Sequence, residues 1–136
     1  MSKFGSLSGS ADEPFRVTLL DRKTDSPLKD KAGKEAYVEV LYSHGPEGRS
    51  IDQELARELA ASGKKYTQLE INMMKLSRLS RGWHLVDPVS REALDVPFST
   101  DNALEFYGLP FATDLYLQVW VGAHATENFM QNSSKT

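Results

Sequence analysis

Cysteine is absent from all 136 residues of this chain. That removes disulfides, thiolate metal ligands and thiol nucleophiles, so the fold must stand on its hydrophobic core. Long apolar runs are missing as well: nothing approaches the roughly 20 residues that a bilayer span needs. The opening residues Met1-Ser2-Lys3-Phe4-Gly5 lack the apolar stretch of a signal peptide, and cytoplasmic synthesis is expected. Positive charge is also in short supply, with 16 Lys and Arg against 19 Asp and Glu and a net charge of −3. Nucleic-acid binders draw most of their affinity from basic residues on phosphates, yet the densest basic run here is Lys64-Lys65. Neither nucleic acid nor membrane is expected as a partner.

Reactive constellations are equally sparse. His44, His84 and His124 lie forty residues apart, without metal-type local spacing. Gly45-Pro46-Glu47-Gly48-Arg49-Ser50 only superficially matches a phosphate loop, because its glycines are too close together and no Lys follows. Asp21, Asp25 and Asp30 fail as a calcium loop, since Ser26 and Ala32 stand where Gly and Glu are needed. No Ser sits in a nucleophile-elbow context. Asn132-Ser133-Ser134 is a glycosylation sequon, irrelevant to a cytoplasmic protein. No catalytic residue, metal ligand or cofactor is therefore assigned, and the chain is read as one that binds other proteins.

What is present is patterned. A chain of this length suits one domain, expected over residues 14–130, with a mobile Ser/Gly-rich arm at 1–13 and a loose tail at 131–136. The arm offers little apolar surface to offset the entropy of ordering it, so folding should not require it. Phe15-Arg16-Val17-Thr18-Leu19 and Ala36-Tyr37-Val38-Glu39-Val40-Leu41-Tyr42 alternate like half-buried strands around a polar loop. They predict an antiparallel pair, which must pack on something to be stable. Ser50 is expected to cap a helix carrying Ile51, Leu55 and Leu59, and Gly63 to break it before a stripe of Tyr66, Leu69, Met73, Leu76 and Ser80.

Beyond Gly82 come two short extended pieces, Trp83–Val86 and Leu94–Phe98. Ser99 should cap a helix that ends at a C′ Gly108, and Pro110 should open a last helix with a Phe111, Leu115, Val119, Ala123 stripe. Leu115, Leu117, Val119 and Val121 also alternate as a strand would, but the Pro start and the length favour helix. The class is α+β: an N-terminal antiparallel strand pair, a central broken helix, a short β segment and two C-terminal helices. Aromatic residues crowd the last third. Trp83, Phe98 and Phe111 are expected in the core, and others remain available to a partner.

The ordered set Leu20-Asp21, Thr24 to Asp30, Gly33 to Val40, Gly82-Trp83, Pro97-Phe98-Ser99, Asn102-Ala103, Gln118-Val119 and Asn128-Phe129 resembles small morphogenesis proteins of tailed bacteriophages and prophages, in particular the tail assembly chaperones. The resemblance covers about residues 15–130. It departs at His44–Ser50, where relatives often carry an Asp-Ser pair. It implies a protein of the host cytoplasm that binds the tape-measure protein and guides tail-tube subunits around it. The alternative is a permanent virion component, such as a neck, tail or capsid-surface protein, contacting neighbouring virion proteins. Self-association into a homo-oligomer is compatible with either. Carried over by position, the implied contact residues are Trp83, Pro97, Phe98, Asn102, Gln118 and Phe129. Trp120 joins them, because the last helix carries more apolar surface than one buried stripe requires.

Overall fold

The predicted strand pair forms. β1 (Phe15–Thr18) lies antiparallel to β4 (Tyr37–Val40), with Val17 opposite Val38. Val17, Val38 and Val40 are buried, while the alternate Arg16 faces out and places its guanidinium 3.7 Å from the Tyr37 ring centre. The intervening loop holds a minor ladder that the sequence pattern does not announce, β2 (Leu20–Asp21) against β3 (Ser26–Pro27). β4 pairs on its other side with β5 (Ser80–Val86), and β5 with β6 (Ala93–Leu94), giving the order β1-β4-β5-β6. Only Leu94 of the expected Leu94–Phe98 piece is in a strand. The computed structural model describes residues 13–130, so the expected arm, apart from Glu13, and the expected tail lie outside the described residues.

Two polar clips tie the β1–β4 loop down. The Asp30 carboxylate accepts from the Ala32 and Lys34 amides, each at 2.9 Å, and meets His84 Nε2 at 2.9 Å. The Lys34 amide above all, then His84, holds that carboxyl below the ordinary range. Buried Asp21 pairs with Arg91, whose backbone sits in the left-handed region at φ 62°.

The described residues hold four α-helices: α1 (Pro46–Ser62), α2 (Gln68–Leu79), α3 (Thr100–Gly108) and α4 (Thr113–His124). The central helix is broken where expected, at Gly63, which takes φ 69° just past the end of α1. Ser50 is not the cap, however. The helix begins at Pro46 with Gly45 before it, because Pro at the first helical position has no amide to satisfy and a φ already suited to the helix. α2 starts on a capping box, in which Thr67 Oγ1 accepts from the Glu70 amide and Glu70 accepts from the Thr67 amide.

Ser99 caps α3 as expected, accepting from the Asn102 amide at 3.0 Å. Gly108 is the last helical residue instead of a C′ glycine, and its φ is not positive. Residues 113–124 are helical, not a strand. One core joins the sheet face to α2, α3 and α4, through Val38, Val40, Leu76, Leu79, Tyr107, Tyr116 and Val119 among others. α4 crosses β1 at Gly122, where an added Cβ would fall 2.5 Å from Val17 Cγ2.

Candidate partner-binding surface

The residues singled out from the sequence do not gather at one place. Trp83 is half-buried, donates from Nε1 to the Val96 carbonyl at 2.8 Å, and meets Phe98 and Phe106 edge-on at 5.2 and 5.8 Å. Pro97 is exposed and its carbonyl accepts from Asn102 Nδ2 at 2.9 Å. These four positions, Trp83, Pro97, Phe98 and Asn102, form one corner that fixes the start of α3. Gln118 and Phe129 lie elsewhere and inside. Gln118 is hydrogen-bonded to the Leu20 backbone and to Asp114. Phe129 is 4% exposed, stacked on Tyr42 and edge-on to Phe15. Neither presents a surface to a partner.

Trp120 lines a cleft of about 270 Å³ between α1 and α2, together with Leu55, Leu59 and Ile71. The wall is mixed, and its polar groups are paired with one another: buried Lys75 pairs with Asp52 at 2.9 Å, and Gln68 donates to Asn72 at 2.8 Å. Trp120 also packs on His124, ring centres 4.1 Å apart, and the His124 ring meets His44 at 5.3 Å. Two of the three histidines thus converge, while His84 stays with Asp30. Among the described residues no three of His, Asp and Glu are placed to hold a metal ion.

His124 donates from Nδ1 to the Trp120 carbonyl at 2.8 Å. Burial, and then the neighbouring charges of His44 and Lys75, push its pKa below the ordinary value, against the pull of the Trp120 carbonyl and Asp52. A group depressed in the folded state stabilises above its unfolded pKa and loses that contribution as pH falls through the folded value. Urea midpoints should therefore drop as pH falls below about 6.5, the unperturbed histidine value. His124→Gln should flatten that part of the profile and leave the carboxylate-driven loss at lower pH. An unchanged profile in the variant would remove His124 from the account.

The apolar surface lies on the opposite flank of α2. Leu69, Met73 and Met74 face Leu104 and Gly108 of α3 across a groove of about 460 Å³, with Glu70 as its one ionised lining residue. Leu69 and Leu104 are 50% and 39% exposed. Met side chains adapt to varied apolar shapes, and a groove between two helices suits the apolar face of a third. Past Gly108 the chain turns through a short 3-10 helix, Pro110–Ala112, which carries the largest surprise. Phe111, expected in the core, is 99% exposed. The α4 stripe begins only at Leu115, since Phe111 lies before α4 and outside its periodicity.

No family model, no curated protein and no solved structure matches this chain.

Proposed function

We propose that this protein is a non-catalytic morphogenesis protein of a tailed bacteriophage or prophage, a tail assembly chaperone that binds the tape-measure protein and tail-tube subunits. The observation that carries the reading is the Met- and Leu-lined groove between α2 and α3. A tape-measure protein is a long helical chain, and its apolar face needs cover until the tube surrounds it. The groove supplies such cover with a single ionised residue, Glu70, in its lining, and unbranched Met side chains let it accept successive segments of differing sequence. The acidic balance of −3 keeps an unassembled binder soluble and off nucleic acid. No helix among the described residues is long and apolar enough to cross a membrane, in keeping with action in the host cytoplasm.

Co-expression with the tape-measure protein of the same genome tests this. The chain should keep that protein soluble, and the double variant Leu69→Lys/Leu104→Lys should lose the effect while retaining its circular dichroism spectrum. Finished particles should lack the chain. Its stoichiometric recovery from purified virions would sink the chaperone reading and leave a permanent virion component in its place.

A further inference from the structure

Phe111 and the groove are complementary features of one molecule. The ring stands on a turn that is held rigid: Pro110 fixes its own φ, the Ala112 amide donates to the Leu109 carbonyl at 3.0 Å, and Thr113 Oγ1 donates to the Pro110 carbonyl at 3.0 Å. An aromatic side chain on such a held turn has only two rotatable bonds to order and loses little entropy when it is captured, and burying it recovers the cost of its exposure. At 99% exposure, the ring is covered by none of the described residues. The groove, at about 460 Å³, has ample room for a phenyl ring, and one of its walls is Leu104 and Gly108 of α3, the helix that ends just before the turn bearing Phe111.

A knob three residues beyond the wall of a hole is the arrangement a twofold axis can satisfy twice, since the same patch then serves both molecules. The knob brings no charge of its own to the contact, and Glu70 is the one ionised residue lining the groove. Residues 106–113 contain no Asp, Glu, Lys, Arg or His.

We propose that a second copy of this chain covers the groove, the Phe111 ring of each copy inserting between α2 and α3 of the other to form a twofold dimer. The contact is small, at the low end of specific interfaces, so the dimer is reversible in the micromolar range. The dimer does not depend on the chaperone reading. Where that reading also holds, the second copy and the apolar helix compete for one groove, and the dimer is the form that stores the protein with its groove closed.

Sedimentation of the full chain over micromolar to millimolar concentrations tests the dimer. The wild type should show a reversible monomer–dimer equilibrium. Phe111→Ser and Leu104→Lys, both at solvent-facing positions, should each weaken association by about tenfold or more with unchanged circular dichroism. An equimolar mixture should regain a weaker heterodimer, because the first variant keeps the hole and the second keeps the knob. A wild type that stays monomeric, or a dimer that survives both substitutions, would overturn the proposal. Phe111→Ser leaves the groove open to a helical client, so loss of the dimer and loss of client binding read out separately.

Discussion

Gly48→Ala should lower the folding stability of this protein by about 3 kcal/mol or more, at or above the upper end of the usual cost of overpacking. In an ordinary helix the same change helps by roughly 0.5–1 kcal/mol, because Ala gives up less backbone freedom than Gly. Here an added Cβ would lie 2.0 Å from the Ser43 carbonyl oxygen and 2.9 Å from that of Tyr42. These are main-chain atoms, so no side chain can swing aside. The segment that bears them is anchored on both sides, with the Leu41 amide donating to Leu79 and the Ser43 amide to Ala123, each at 2.9 Å. Relief requires α1 to lift from the sheet-to-helix connection, and Ile51 and Leu55 to leave the core with it. Gly63→Ala makes the contrast: nothing lies within 4 Å of its Cβ position, and the cost comes from φ 69° alone, roughly 1–2 kcal/mol. Urea unfolding of the two variants side by side decides the matter. A neutral or stabilised Gly48→Ala would mean that α1 does not sit this close to residues 42–43.

Truncating Tyr107 to Ala should cost about 3–5 kcal/mol, the loss expected for a large buried ring. Its ring is fully buried and packs against Tyr116 and Phe106 at 5.7 and 5.6 Å. The hydroxyl is accounted for as well. Ser80 Oγ donates to the Leu76 carbonyl at 2.7 Å, so the Tyr107 hydroxyl donates to Ser80 Oγ, also at 2.7 Å. Burial pushes the phenol pKa far above its ordinary value, and the group stays neutral wherever the protein is folded. Tyr107→Phe, which keeps the ring and forfeits that hydrogen bond, should cost only about 1 kcal/mol. Thermal or urea unfolding of both variants separates ring from hydroxyl. A loss below about 1 kcal/mol for Tyr107→Ala would contradict the ring's central place in the core.

The α+β class and most element positions were legible because local physics decides them. Strand alternation at Val17, Val38 and Val40, the Ser99 cap and the left-handed Gly63 each depend on a few neighbouring residues. Two helix starts are also written in the sequence: Pro46 marks α1, and Thr67 with Glu70 spells the capping box of α2. The surface was far less legible. Met73 and Met74 read as a helix stripe until α3 is laid beside α2, which no local pattern specifies. Phe111 fitted the apolar spacing of Leu115, Val119 and Ala123, but the 3-10 turn before Thr113 winds more tightly than an α-helix and carries the ring out of register. Gln118 and Phe129 were drawn from an ordered resemblance, and such a pattern does not distinguish a residue that faces a partner from one that faces the core.

The amide of Gln118 has a consequence for how this protein behaves when crowded with copies of itself. Leu20 opens β2, just past the end of edge strand β1, and an unpaired amide and carbonyl on the outer side of such a ladder would ordinarily invite another chain's strand. Gln118 Oε1 accepts from the Leu20 amide at 2.7 Å and its Nε2 donates to the Leu20 carbonyl at 3.1 Å, as a neighbouring strand would do. A side chain 98 residues away thus impersonates one residue of a missing strand and closes that site to recruitment. At Leu20 the backbone margin is therefore occupied from within the chain.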